Sequence, residues 1–181
     1  VVKAAGKTFV VDAMSSFGGI DINVPEIGID FLISSANKCI QGVPGFSFII
    51  ANIEKLQASK GNARSLSLDL YDQWRVMEKD GGKWRFTSPT HVVAAFHRAI
   101  AELKAEGGIA ARHARYAQCN KMLRDGMKDL GFDAYIDVAH QGPIITTFFY
   151  PENANFTFAG MYDYLKDHGY VIYPGKLTER D

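Results

Sequence analysis

Thr8-Phe9-Val10-Val11-Asp12-Ala13-Met14-Ser15-Ser16 and Asp30-Phe31-Leu32-Ile33-Ser34-Ser35-Ala36-Asn37-Lys38 decide the reading of this chain. Each stretch is a short apolar run that gives way to small residues, and each reads as a buried strand. Each also delivers one charged residue at its C-terminal end, Asp12 in the first and Lys38 in the second. Open α/β sheets bind their ligands at that end of the strands. Taken singly, an Asp after a strand is commonly a cap or turn residue, and a Lys there is commonly a solvated surface group. Here the two occur together. The lysine is flanked by Ser34, Ser35 and Asn37 and is followed by the turn Gly42-Val43-Pro44-Gly45. Such a setting lets backbone and hydroxyl groups approach a phosphate closely. An amine and a carboxylate so placed suit pyridoxal 5'-phosphate (PLP): the lysine can form a Schiff base with its aldehyde, and the aspartate can pair with its protonated ring nitrogen.

The bulk properties narrow the alternatives. With 181 residues, 47% hydrophobic and formal net charge zero, the composition is that of a globular chain with one or two domains and a real core. The charge balance offers no footprint for nucleic acid or an anionic membrane. The apolar runs are too short for a transmembrane helix. Cys39 and Cys119 are too few for a disulfide framework or a zinc cluster, and they are expected to be reduced thiols of a cytoplasmic protein. There is no initiator Met. Val1-Val2-Lys3-Ala4-Ala5-Gly6 reads as the tail of a helix, and Thr178-Glu179-Arg180-Asp181 supplies no closing element, so the chain is expected to be an internal segment of a longer protein.

Strands are predicted at 8–11, 31–34 and 46–51. The last follows Lys38 after a loop too short for a helical crossover, so it should pair antiparallel with its predecessor. A short helix is predicted at 53–57, and loop with short helix at 65–80, broken by Gly81-Gly82. Ser88 as N-cap and Pro89 in the first turn start a helix that runs to about 105. A second amphipathic helix, 109–130, carries Tyr116, Met122, Leu123 and Met127 near one face. Beyond it the pattern becomes strand, strand, helix, strand, at 133–138, 144–150, 158–167 and 170–173. The boundary between a large domain, 1–108, and a connecting helix with most of a smaller α/β domain, 109–181, is expected inside or just after the second helix.

The segments Val11-Asp12-Ala13-Met14-Ser15-Ser16-Phe17-Gly18-Gly19-Ile20 and Ser34-Ser35-Ala36-Asn37-Lys38-Cys39-Ile40-Gln41-Gly42-Val43-Pro44-Gly45-Phe46 closely resemble the class V aminotransferases of the fold-type I PLP superfamily. Within them the wording around Lys38 is similar to the branch that moves the amino group of 2-aminoethylphosphonate to pyruvate. The resemblance extends to Arg85-Phe86-Thr87-Ser88-Pro89-Thr90-His91 and to Tyr173-Pro174-Gly175-Lys176-Leu177-Thr178. It implies an aspartate aminotransferase-like α/β fold, here a portion of the large domain plus a smaller C-terminal one. It also implies a homodimer, phosphonoacetaldehyde and L-alanine as products, and a role in phosphonate breakdown.

Carried over by position, the resemblance gives each residue a role. Lys38 would hold PLP and shuttle a proton between the substrate carbon and the cofactor. Asp12 would keep the pyridine nitrogen protonated, and Met14 would pack beneath the ring. Ser35 would contact the phosphate, and Thr87 would reach the phosphate of the partner subunit's cofactor. Read without the resemblance, Met14 is equally plain core, Ser35 a turn cap and Thr87 the residue before a helix cap. Asn37 stands where some class V enzymes carry a phosphate-binding histidine, so that contact is not carried over. The ring-stacking residue and most phosphate contacts are expected before Val1. The substrate-binding arginine is expected past the C-terminus, with Arg180 only a neighbour on its approach.

The other clusters carry less. His91 and His97 are six apart and cannot share a helix face as a zinc pair would, and no metal site is expected. Cys39 beside Lys38 invites comparison with cysteine desulfurases, but adjacent side chains tend to point in opposite directions, which makes it packing. Cys119 is read as structural as well. Gly18-Gly19 and Gly42 to Gly45 lack a Walker pattern and read as turns. The rivals are another class V aminotransferase, of alanine–glyoxylate or serine–pyruvate type, and an inactive fragment lacking the first half of its site.

Overall fold

A computed structural model describes residues 1–175. The expectations placed on Lys176, Leu177, Thr178 and Arg180 lie outside the described residues. The chain divides into two compact units, Val1–His113 and a second that begins at Ala114, inside a long helix.

The first unit is built on a three-stranded sheet ordered β1-β2-β3, with β1 at Val10–Asp12, β2 at Phe31–Ser35 and β3 at Ser47–Ala51. β1 and β2 run parallel, with Val10 beside Phe31 and Asp12 beside Ile33. β3 returns antiparallel, with Ile33 opposite Ile49 and Ser35 opposite Ser47, as the short Gly/Pro loop predicts. The β1–β2 connection holds a four-residue helix, α1 at Val24–Ile27, which the sequence reading passed over. Its signal is local: the Asn23 side chain accepts from Glu26 N–H, Pro25 sits in the first turn and Gly28 closes the end at φ 75°.

Leu32 on β2 is fully buried with Ala13 and Ile29, and Phe9, Val11, Phe17, Ile22 and Val24 pack around them. Burying a side chain such as Leu32 contributes about 1.5–3 kcal/mol. A second cluster joins Ile40, just past Lys38, to Ala99 and Leu103 of α4, Thr90–Glu106, and Phe17 touches both clusters. The sheet's C-terminal end is thereby pinned to α4. Helix α2, Ile53–Ala58, follows β3 behind an Asn52 cap.

The segment predicted as loop with short helix instead contains a ten-residue helix, α3 at Leu70–Lys79, capped by Asp69 accepting from Asp72 N–H. The cap was legible; the mixed apolar pattern of 65–80 hid the helix. Helix α4 begins one residue later than Ser88 would cap it. Pro89 occupies the cap position with no side-chain bond, and the Ser88 carbonyl accepts from Thr90 N–H.

Helix α5, Gly108–Asp129, matches the predicted span to within a residue, but its buried positions differ from those expected. Met122 and Leu123 are 67% and 52% exposed, whereas Arg112 and Asn120 are buried. In the second unit Asn120 donates to Thr146 Oγ1 at 2.8 Å and accepts from Arg124 Nε at 2.8 Å. Cys119 is exposed, not packed. The segments predicted as strands at 133–138 and 144–150 meet at a single bridge, Ala134 with Phe148, closed by Tyr135 N–H to Thr147 O and Phe149 N–H to Asp133 O. Residues 170–173 are not a strand either. Helix α6, Phe158–Asp167, has the predicted bounds, and Thr157 Oγ1 caps it by accepting from Gly160 N–H. Among the described residues no helix is long and apolar enough to cross a membrane.

Candidate active site

Asp12 and Lys38 emerge at the same end of the sheet because the two loops that carry them are stitched together. Ala13 N–H donates to the Ile33 carbonyl at 2.8 Å. The buried Ser34 Oγ donates to the Ala13 carbonyl at 3.2 Å. One step further on, Cys39 Sγ donates to the Ser15 carbonyl at 3.3 Å. Ala13 and Ser15, after β1, are thus tied to β2 and to the turn that carries Lys38.

Asp12 is exposed, and its Oδ1 accepts from Met14 N–H at 2.9 Å, which orients the carboxylate. Met14 is half-buried. Strand register places Ser35 on Asp12's face, since Asp12 lies beside Ile33 and Ser35 is two residues on. The Ser35 hydroxyl is buried, and among the described residues it has no hydrogen-bond partner. Such an orphan costs about 1–3 kcal/mol unless a ligand completes it.

Lys38 is exposed, but its backbone is tightly held. Its carbonyl accepts from Gln41 N–H at 2.8 Å, and the Ala36 carbonyl accepts from Gly42 N–H at 2.9 Å. Gln41 takes a left-handed φ of 64° to close this turn. A Cβ on Gly18 would overlap Ile40 Cδ1, so glycine there lets the loop after β1 lie directly on the turn after Lys38. Burial pushes the Cys39 thiol pKa up, against the opposing charge of Arg112, so the thiol stays protonated and packed.

Thr87 is exposed in the segment leading into α4, and no described contact joins it to Asp12, Ser35 or Lys38. Arg85 anchors that segment, donating to the Leu66 carbonyl at 2.7 Å and pairing with Asp72 at 3.2 Å. Two residues missed by the sequence reading close on the site from α5. Arg112 donates to the Cys39 carbonyl, and His113 Nδ1 donates to the Gly19 carbonyl at 2.9 Å. No local signal marks either, because their partners lie 73 and 94 residues away. In the second unit an apolar cavity of about 370 Å³ lies among Met127, Leu130, Phe132 and Phe156, with no titratable lining group. Among the described residues no group of His, Cys, Asp and Glu is arranged to hold a metal ion.

The family model described as Aminotransferase class-V matches residues 1–175. The chain is 61% identical over its whole length to a 2-aminoethylphosphonate–pyruvate transaminase of Bacteroides fragilis, of which it covers 50%. It is 59% identical over its whole length to a bifunctional phosphonoacetaldehyde hydrolase/aminoethylphosphonate transaminase of Clostridioides difficile, of which it covers 28%. It therefore spans half or less of these curated relatives. Among solved structures, an alanine–glyoxylate aminotransferase of Nostoc sp. superposes with a TM-score of 0.80 at 22% identity, over 98% of this chain and 47% of that one. The fold is the α/β fold of the fold-type I aminotransferases, present in part.

Proposed function

The chain belongs to the class-V aminotransferases, and from that premise we propose that it forms part of a PLP-dependent transaminase acting on 2-aminoethylphosphonate and pyruvate. The products would be phosphonoacetaldehyde and L-alanine. The observation that carries the substrate is the 61% identity to the Bacteroides fragilis enzyme over every residue of this chain. In this reading residues 1–108 are the later part of the cofactor-binding domain, and residues 109–181 are the connecting helix and most of the small domain.

The donor set suits the cofactor. An exposed amine, an exposed carboxylate and an orphaned buried hydroxyl match an aldehyde, a ring N–H and a phosphate respectively. When bound, PLP supplies an aldehyde that condenses with amines and a ring that delocalises the electron pair left by a departing proton. Lys38 Nζ would be the attachment point and would move the proton at the substrate carbon. Asp12 would hold a proton on the ring nitrogen through a charge-assisted hydrogen bond worth about 1.5–3 kcal/mol. The Met14 N–H on Oδ1 keeps that carboxylate aimed. Met14's side chain would pack beneath the ring, and Ser35 Oγ would donate to the phosphate. Thr87, exposed in the segment before α4, would do the same for the partner subunit of a homodimer.

The test uses the full-length protein that carries this sequence, loaded with PLP and mixed with 2-aminoethylphosphonate in the absence of any keto acid. Loss of the visible cofactor band, with recovery of the aminated cofactor, is the expected result. A band that ignores this amine and responds to alanine or serine would reassign the enzyme to a neighbouring class V activity. Borohydride reduction and peptide mapping should place the cofactor on Lys38; a label elsewhere would remove Lys38 from its role.

A further inference from the structure

The turn that presents Lys38 is held from a distance by a buried cation. Arg112 on α5 is 2% exposed, and its Nη1 donates to the carbonyl of Cys39, the residue next to Lys38. Its Nε donates to Glu106 Oε2 at 2.6 Å. A buried guanidinium is costly unless it is both paired and hydrogen-bonded, and this one is committed on both sides. Two other carbonyls of the turn, those of Lys38 and Ala36, accept from the backbone N–H groups of Gln41 and Gly42. The Cys39 carbonyl, by contrast, takes a charged donor. Residue 39 is also held through its Sγ, and Ile40 after it is 2% exposed against Ala99 and Leu103. The flexible side chain of Lys38 therefore springs from a fixed base.

We propose that Arg112, oriented by Glu106, is the positioning residue for Lys38: its fork fixes the peptide that follows the lysine and so sets where Nζ can reach. A lysine carries its amine on four methylenes with little preference of its own, so accuracy must come from the backbone beneath it. Arginine suits the task because its planar fork binds Glu106 through one edge and the carbonyl through another, which fixes the angle between them. The inference rests on the reading of Lys38 as the cofactor lysine.

The experiment compares E106Q, R112K and R112Q with the wild type in the full-length PLP-loaded protein. Four quantities are measured: borohydride labelling of Lys38, the pH midpoint of the visible cofactor band, kcat and KM separately, and thermal stability. Displacement of the base should lower kcat about 10- to 100-fold with KM within about threefold. The band's pH midpoint should move in step, and R112K should recover only part of the loss because it restores charge without the fork. Should R112Q fail to fold, E106Q still decides, since Glu106 is the more exposed partner, at 25% against 2%. Variants that lose thermal stability yet keep the wild-type kcat and pH midpoint per folded molecule would make Arg112 a structural residue and overturn the proposal. A wild-type label absent from Lys38 would overturn the functional reading itself, and this inference with it; a wild-type label on Lys38 with unaltered variants overturns the positioning role alone.

Discussion

At Gly42 a single hydrogen atom in place of a methyl group shapes the turn after Lys38. A Cβ there would sit 2.6 Å from the Ala36 carbonyl oxygen, the same atom that accepts Gly42's own N–H, and 3.7 Å from Phe96 Cα on α4. Backbone on both sides leaves nothing flexible to yield. Gly42→Ala should therefore destabilise the protein by about 1–3 kcal/mol, the range of overpacking, read as a lower denaturant midpoint. PLP labelling of Lys38 should weaken with it. A midpoint equal to wild type would mean that the turn adapts and that its tightness is incidental. Asp30, just before β2, poses a different residue-scale problem. Its buried carboxylate accepts from Lys3 Nζ at 2.8 Å and from Phe9 N–H at 2.7 Å, and these bonds, the Lys3 bond first, hold its pKa below the ordinary 3.8. A depressed carboxylate contributes stability that is fully present above the unfolded value and is lost as pH falls through the lower folded value. Thermal stability should thus fall on the acid side of 3.8, and Asp30→Asn should flatten that fall; an equally steep decline in the variant would assign it to other carboxylates.

Helix α5 offers the cleanest test at the scale of an element. Gly126 sits within it at an ordinary helical position, with nothing within 4 Å of the Cβ it lacks. Gly126→Ala should stabilise the protein by about 0.5–1 kcal/mol, seen as a higher thermal midpoint with unchanged turnover. A loss of stability would reveal a contact on this face that the full-length protein makes. The same helix shows how far sequence carries. Its ends were legible from the flanking glycines, but its buried positions were not, because Arg112 and Asn120 are among them, and apolar periodicity is blind to buried polar residues. Around the site, β1, β2 and the antiparallel return of β3 were legible because apolar runs and a short Gly/Pro loop leave few other topologies. Asp12 and Lys38 were legible as charges at strand ends. The clamp on Cys39 was not, since it joins residues 73 apart and neither end has a local motif. Residues 133–150 carry strand-forming residues, yet one bridge forms where two full strands were expected. An isolated pair of strands is marginal without a third strand or a helix against its face.

For the molecule as a whole, the decisive fact is the state of the sheet in the first unit. Val10, Asp12, Ile33, Ser35 and Ile49 share one face by register, and on it Val10 is 54% and Ile49 37% exposed. The opposite face carries Leu32 and Ser34, both buried, with Ile50 39% exposed on β3. Sheets with parallel strands are ordinarily covered on both faces, and an open apolar face beside an unpaired edge strand invites association. The face that bears Asp12, where a cofactor would lie, is open at Val10 and Ile49. In the reading proposed above, cover for it would come from further chain, since these residues span 50% of the Bacteroides fragilis relative. Expressed alone, the 181-residue chain should self-associate, bind a dye that reports exposed apolar surface, and label weakly with PLP at Lys38. Co-expression with the rest of the full-length protein should restore a discrete species and strong labelling. A monomeric segment that labels at Lys38 as efficiently as the full-length protein would show that Asp12, Ser35 and Lys38 form a sufficient cradle without further cover, and the open face would then need another occupant.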